Sequence, residues 1–236
     1  MPISRRVLHA SGLLLTDVRK NLETAVELHR AGNLADAAAI YSRVIASDPE
    51  NADALHLLGV VALQQGDAPR AWDLLQRARA ARPRRADIVY NLGRAAAALQ
   101  DWPAAVDANR AALDLAPTMA AAACNLGIAL VHTGDASAGE VQIRSALAAE
   151  PNNAASWSAL GLALHDQGRD ADARVAWTRA RALDPSMAEA AFNLACSHLR
   201  RRDFQRGWPL FGARETADPA SFATGGPLPA HIPRWN

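Results

Sequence analysis

Lysine is almost absent from this 236-residue chain: Lys20 is the only one, and arginine supplies the rest of the 25 basic residues. An excess of one charge is lacking too, since 24 acidic residues interspersed with the basic ones leave a net charge of +1. That balance gives no electrostatic reason to expect nucleic acid or an anionic membrane as a partner. Long hydrophobic runs are also missing. The apolar stretches are short and broken by charge, far below the roughly 20 residues a spanning helix needs, so no membrane segment is expected and residence in the cytoplasm follows. Cysteine is limited to Cys124 and Cys196, and no short ligand spacing such as Cys-x2-Cys or His-x3-His is present. His132, His165, Asp166 and Cys196 therefore do not read as a metal site. A phosphate-cradling glycine loop, a nucleophile elbow and a zinc-protease motif are lacking as well. No catalytic residue, metal or other cofactor is expected.

What the chain does have is a period. Pro49, Pro83, Pro117, Pro151 and Pro185 stand at steps of 34 residues, and ten residues after each of the first four comes a glycine: Gly59, Gly93, Gly127 and Gly161. A strict period of this length marks stacked repeats, each burying its apolar face on its neighbours. Leu58, Leu92, Leu126, Leu160 and Leu194 precede that column, which ends in Ala195. A second column of small residues runs through Ala37, Ala71, Ala105, Gly139, Ala173 and Gly207. Such columns let helices approach closely while Leu, Ile and Trp fill the gaps between them.

The spacing predicts one helical hairpin per unit, with first helices over 53–65, 87–99, 121–133, 155–167 and 189–201 and an earlier one over 21–31. Turns are expected at Gly32-Asn33, Gly66-Asp67, Gln100-Asp101, Gly134-Asp135 and Gly168-Arg169. Glycine there allows a left-handed backbone, and Asp or Asn can receive the free amides of the next helix. Pro69 and Pro103 belong in the opening turn of a second helix, where the missing N–H costs little. The sixth unit departs from the pattern: Arg202 replaces the turn glycine, Arg214 replaces a core alanine, and Pro209 is expected to interrupt the second helix. Arg200-Arg201-Arg202 reads as a solvated helix end. Cys124 and Cys196 fall in first helices two repeats apart, beyond disulfide reach, and are expected to be reduced.

The fifth unit reads Trp157-x2-Leu160-Gly161-x2-Leu164, then Ala173-x3-Trp177, then Pro185. It closely resembles the tetratricopeptide repeat, with its Trp-x2-Leu-Gly-x2-Tyr, Ala-x3-Phe and Pro pattern. The resemblance covers residues 18–214 and implies an all-α fold, a right-handed α-solenoid of about five full repeats plus a degenerate sixth. Repeats begin near residues 18, 52, 86, 120, 154 and 188. Residues 1–17, broken by Gly12 and Asp17, read as an N-terminal capping segment. Residues 215–236, with Pro219, Pro227, Pro229, Pro233 and Gly225-Gly226, have the composition of an extended linker or an ordered strap.

In that family the first helices line a concave surface, so the resemblance implies a non-catalytic scaffold holding a peptide or helix of a protein partner. Helical periodicity places Asp87, Tyr90, Asn91, Arg94, Asn125, Ile128, His132, Ser158 and Asn193 on that side. Arg94, beside Asn91, is placed to hold a carboxylate by charge-assisted bonds, to pair with Asp87, or to pair with nothing. Asn91, Asn125 and Asn193 recur within Asn-Leu-Gly or Asn-Leu-Ala. They look like rungs of the asparagine ladder that binds peptide backbone in arrays of the O-linked N-acetylglucosamine transferase type, with Glu23, Leu57 and Ala159 as departures. The other reading is that they bond locally as part of the repeat consensus. Phe204-x2-Gly207-Trp208-Pro209-Leu210-Phe211 with Pro233-Arg234-Trp235 resembles the junction where bacterial arrays run into a glycosyltransferase-like domain. It implies a second reading, the substrate-recognition arm of such an enzyme, with the catalytic domain outside this chain. Weak self-association through the apolar end repeats is a third expectation.

Overall fold

The computed structural model describes residues 18–212, so the expectations for the segments 1–17 and 215–236, and for Arg214, lie outside the described residues. Among the described residues there are twelve helices and no strand. Helix α1 covers 18–30. It is followed by α2 (Leu34–Ser47), α3 (Ala52–Gln64), α4 (Ala68–Ala81), α5 (Ala86–Ala98), α6 (Trp102–Leu115) and α7 (Ala120–His132). Then come α8 (Ala136–Ala149), α9 (Ala154–Asp166), α10 (Asp170–Leu183), α11 (Ala188–Arg200) and α12 (Phe204–Phe211). The odd-numbered helices are the first, and the even-numbered the second, of each hairpin. The chain forms two compact units that meet at Asn125 and Leu126, within α7.

The prolines that carry the period act at the ends of second helices. Each directly follows a C-cap residue, Asp48, Arg82, Ala116, Glu150 or Asp184, whose φ lies between −128 and −142. A proline disfavours helical geometry in the residue before it, so the helix stops at the same place in every unit. The turns inside the hairpins also close as the sequence requires. After α3, Asp67 N–H bonds the Ala62 carbonyl at 2.9 Å and Gly66 N–H bonds that of Leu63 at 3.2 Å, with Gly66 at φ 77. Asp67, Asp101, Asp135 and Asp203 then cap the next helix, each accepting from the amide three residues on. Pro69 and Pro103 occupy the first turn of α4 and α6.

From α3 onward the first helices begin and end one residue earlier than the spacing predicts, and α1 begins three residues earlier and ends one earlier. For α3 and α9 the cause is a cap: Asn51 Oδ1 accepts from Ala54 N–H and Asn153 Oδ1 from Ser156 N–H, each at 3.0 Å. The sixth hairpin brings a correction. Pro209 does not interrupt α12, which continues through it to Phe211. Where other turns use glycine, Gln100 and Arg202 take up φ 60 and φ 61. An L-residue in this region costs on the order of 1 kcal/mol. Arg202→Gly is therefore expected to stabilise the protein by roughly 0.5–1 kcal/mol. A thermal melt with an unchanged or lower midpoint would contradict that strain.

The glycine column is explained by what it faces. A Cβ at Gly59 would lie 2.8 Å from Leu75 Cγ, and one at Gly93 2.6 Å from Asn109 Nδ2. At Gly127 it would meet Ile143 and the Gly139 carbonyl, and at Gly161 the indole of Trp177. The side-chain partner stands sixteen residues on in each case, on the second helix of the same hairpin. In the first unit the core then continues between hairpins through Ala25, Tyr41, Leu55, Leu58, Val61, Leu74 and Ile88.

Candidate peptide-binding face

In the first unit, neighbouring first helices α3 and α5 share a polar network. Arg85, the residue before α5, donates Nη1–H to Asp53 Oδ1 at 2.7 Å and Nε–H to Asp87 Oδ1 at 2.8 Å, and its Nη2 also pairs with Asp87 Oδ2. Its guanidinium holds the Asp87 carboxyl below the usual carboxylate range, and the two carboxylates drive the Arg85 pKa upward in turn. Arg82 lies 3.7 Å from Asp53. The charges at this end of the face are thus mutually paired.

A second set of bonds runs from α3 to α5 through Asn91, which is only 7% exposed. Its Nδ2 donates to the Asp87 carbonyl at 3.0 Å and meets His56 Nε2 at 2.8 Å, while its Oδ1 accepts from Arg94 Nη1 at 3.1 Å. A carbonyl can only accept, so the amide orientation is fixed and His56 Nε2 must be the unprotonated nitrogen. The ring proton then sits on Nδ1, which is 3.8 Å from Asp87 Oδ2. Burial pulls the His56 pKa down, outweighing the opposing pull of Asp87.

Arg94 is half-buried and held by one hydrogen bond, with no carboxylate within ion-pair distance among the described residues. Tyr90 is half-buried and packs with Met119 against Val89, Ala112 and Ala122. Asn125, on the first part of α7, is half-buried. The structure therefore brings Asp87, Asn91 and Arg94 into one bonded group.

The remaining four expected residues belong to the second unit. Ile128 and His132 stand on α7 and Asn193 on α11, all half-buried. Burial pulls the His132 pKa down against the field of Asp166. Ser158 is 3% exposed on α9, and its Oγ has no hydrogen-bond partner among the described residues. Here too a histidine joins first helices: His165 Nδ1 bonds Asp170 Oδ1 and its Nε2 meets Arg200 Nη2 at 3.1 Å.

Sequence reasoning missed Arg85, which precedes its helix and so escapes a helical-face readout. Helical periodicity puts Asp53 and His56 on the same concave side, but they were not among the nine expected site residues. A usable signal was the spacing itself. His29 with Gln64, His56 with Asn91 and His165 with Arg200 are each 35 residues apart, one repeat plus one position. Among the described residues no group of three or more His, Cys, Asp or Glu is placed to hold a metal ion, and no helix is long and apolar enough to cross a membrane. Cys124 and Cys196 are not disulfide-bonded.

The sequence model of the tetratricopeptide repeat matches residues 22–83, 69–120 and 124–182. Among solved structures, MamA superposes with a TM-score of 0.61 at 22% identity, over 73% of this chain and 94% of that one. A thermophilic TPR protein of Thermus thermophilus gives 0.63 at 21% identity, over 77% and 99%. YrrB, described as a TPR protein with an unusual peptide-binding site, gives 0.60 at 20% identity, over 72% and 88%. At these identities the likeness is one of fold. No curated protein matches the sequence.

Proposed function

Because the chain belongs to the tetratricopeptide repeat family, we propose that it is an interaction scaffold whose first helices hold an extended segment of a partner protein. The observation that carries the proposal is Arg94. Around it Arg85, Asp53 and Asp87 satisfy one another, whereas Arg94 is oriented by Asn91 and has no counter-charge among the described residues. A half-buried guanidinium in that state favours a carboxylate from outside, because charge-assisted bonds in a partly desolvated site are stronger than neutral ones. Tyr90 and Leu57, both half-buried on the same pair of helices, offer apolar surface to the rest of the segment. Asp87 and Asn91 act by holding the arginine, and Asn125 continues the first unit's contribution on α7. In the second unit Ile128, His132, Ser158 and Asn193 are the proposed contributors. A solved relative of similar fold, YrrB, carries a peptide-binding site by its description.

The test is selection of peptides from a randomised display library against the full chain. Enrichment of sequences with an acidic side chain, or a free C-terminal carboxylate, beside an apolar residue is the expected outcome. Failure to retain any peptide, or retention without an acidic group, would refute the carboxylate-directed reading.

A further inference from the structure

The bonds around Asn91 link a proton-binding ring to the proposed binding arginine, and they leave no slack. Each hydrogen of the Asn91 amide is committed, one to the Asp87 carbonyl at 3.0 Å and one to His56 Nε2 at 2.8 Å, and the amide oxygen receives Arg94 at 3.1 Å. If His56 takes a second proton, Nε2–H faces an N–H donor, and the rung between α3 and α5 is lost. Turning the amide over would restore that bond but set Oδ1 against the Asp87 carbonyl and the NH2 group against Arg94, donor against donor. Either way protonation breaks an existing bond, and the turned amide releases Arg94. We propose that His56 is a positioning residue for Arg94: its protonation is transmitted through the amide of Asn91 and frees the guanidinium from its fixed orientation.

The charged groups that act on the ring are few. From α3 comes Asp53, from the start of α5 come Arg85 and Asp87, and Asp87 is the strongest of the three. From beyond α4, Arg82 reaches only Asp53, at 3.7 Å. From farther along α5, Arg94 meets the ring through Asn91 alone. Asp87 is held ionised by Arg85 well into acid, so it stays a constant negative charge while the ring titrates. Burial lowers the ring's affinity for the proton, and the transition therefore falls below the ordinary histidine value of 6.5. Above it the histidine is neutral, Asn91 bonds both neighbours and Arg94 is held. Below it the amide turns to accept from Nε2–H, and Arg94 loses its bond to Oδ1. The meaning of this device for partner binding rests on the reading of Arg94 given above, but its existence does not.

The test uses the full chain without any ligand. Heteronuclear NMR follows the His56 ring and the Arg94 Nε–Hε resonance from pH 8 downward until the ring has titrated, with circular dichroism confirming the fold at each step. The expected result is a shift of the Arg94 resonance with the same midpoint as His56. In Asn91→Ala, with helicity verified by circular dichroism, His56 still titrates and the Arg94 shift is lost. In His56→Gln, a neutral replacement able to accept from Asn91, the Arg94 resonance stays constant through the range. An Arg94 resonance that ignores the His56 midpoint, or that still follows pH in His56→Gln, would overturn the relay. Both outcomes are independent of whether any peptide binds.

Discussion

Trp177→Ala is expected to destabilise the second unit by about 3–5 kcal/mol, the range for removing a large buried aromatic side chain. Trp177 is 1% exposed, and its indole N–H donates to the Ser158 carbonyl at 3.2 Å. The ring lies where a Cβ of residue 161 would be, and 6.0 Å from the ring of His165. The glycine and the tryptophan are therefore one packing unit. Gly161→Ala alone should cost about 1–3 kcal/mol, because a buried indole has nowhere to retreat. In a Trp177→Leu background the same alanine should cost clearly less, since contacting residues are not additive. Urea denaturation of the four proteins of this cycle measures the coupling. Additive costs would show that the glycine is not there to admit the ring.

This pair shows what the sequence made legible and what it did not. The period, the glycine column and the Ala-x3-Trp segment could all be read from the chain, because stacked repeats impose the same spacing on every unit. That Gly161 exists to admit Trp177 could not, since it depends on which side chain the second helix directs back across the hairpin. The proline column gave the period, but that each proline stops a second helix by a local steric effect on the residue before it emerged only in the structure. Pro209 misled for the opposite reason: a local rule predicted a break, and the eight-residue α12 runs through it. The Asn51 and Asn153 caps, which set the starts of α3 and α9, were readable in principle as Asn before a helix.

The face was half legible. Helical periodicity placed Asn91 and Arg94 on the same helix and suggested a carboxylate for the arginine. It did not show that Asn91 is buried and committed to His56, because a readout of one helix face does not pair residues of neighbouring repeats, although their 35-residue separation recurs. Arg85, joined to Asp53 32 residues away, was hidden because it precedes its helix and lies on no helical face.

Arg94→Ala should weaken binding of an acidic peptide about 10- to 100-fold, since a hydrogen bond to a charged group contributes roughly 1.5–3 kcal/mol. The fold should be less affected than the affinity, because Arg94 is half-buried and contributes one hydrogen bond, to Asn91 Oδ1. Arg85→Ala should behave differently. It leaves Asp53 and Asp87 without their shared cation, so it should lower stability first and affinity only through the displaced helix ends. Calorimetric titration of both variants, alongside their urea midpoints, separates the two roles. Equal affinity of wild type and Arg94→Ala for acidic peptides would remove Arg94 from the site.

If partners are held on the first helices, titrating a selected acidic peptide into the labelled chain should shift the backbone amides around Leu57, Tyr90, Asn91 and Arg94 of α3 and α5. Changes confined to the second helices α4 and α6, with those four residues unmoved, would contradict that placement.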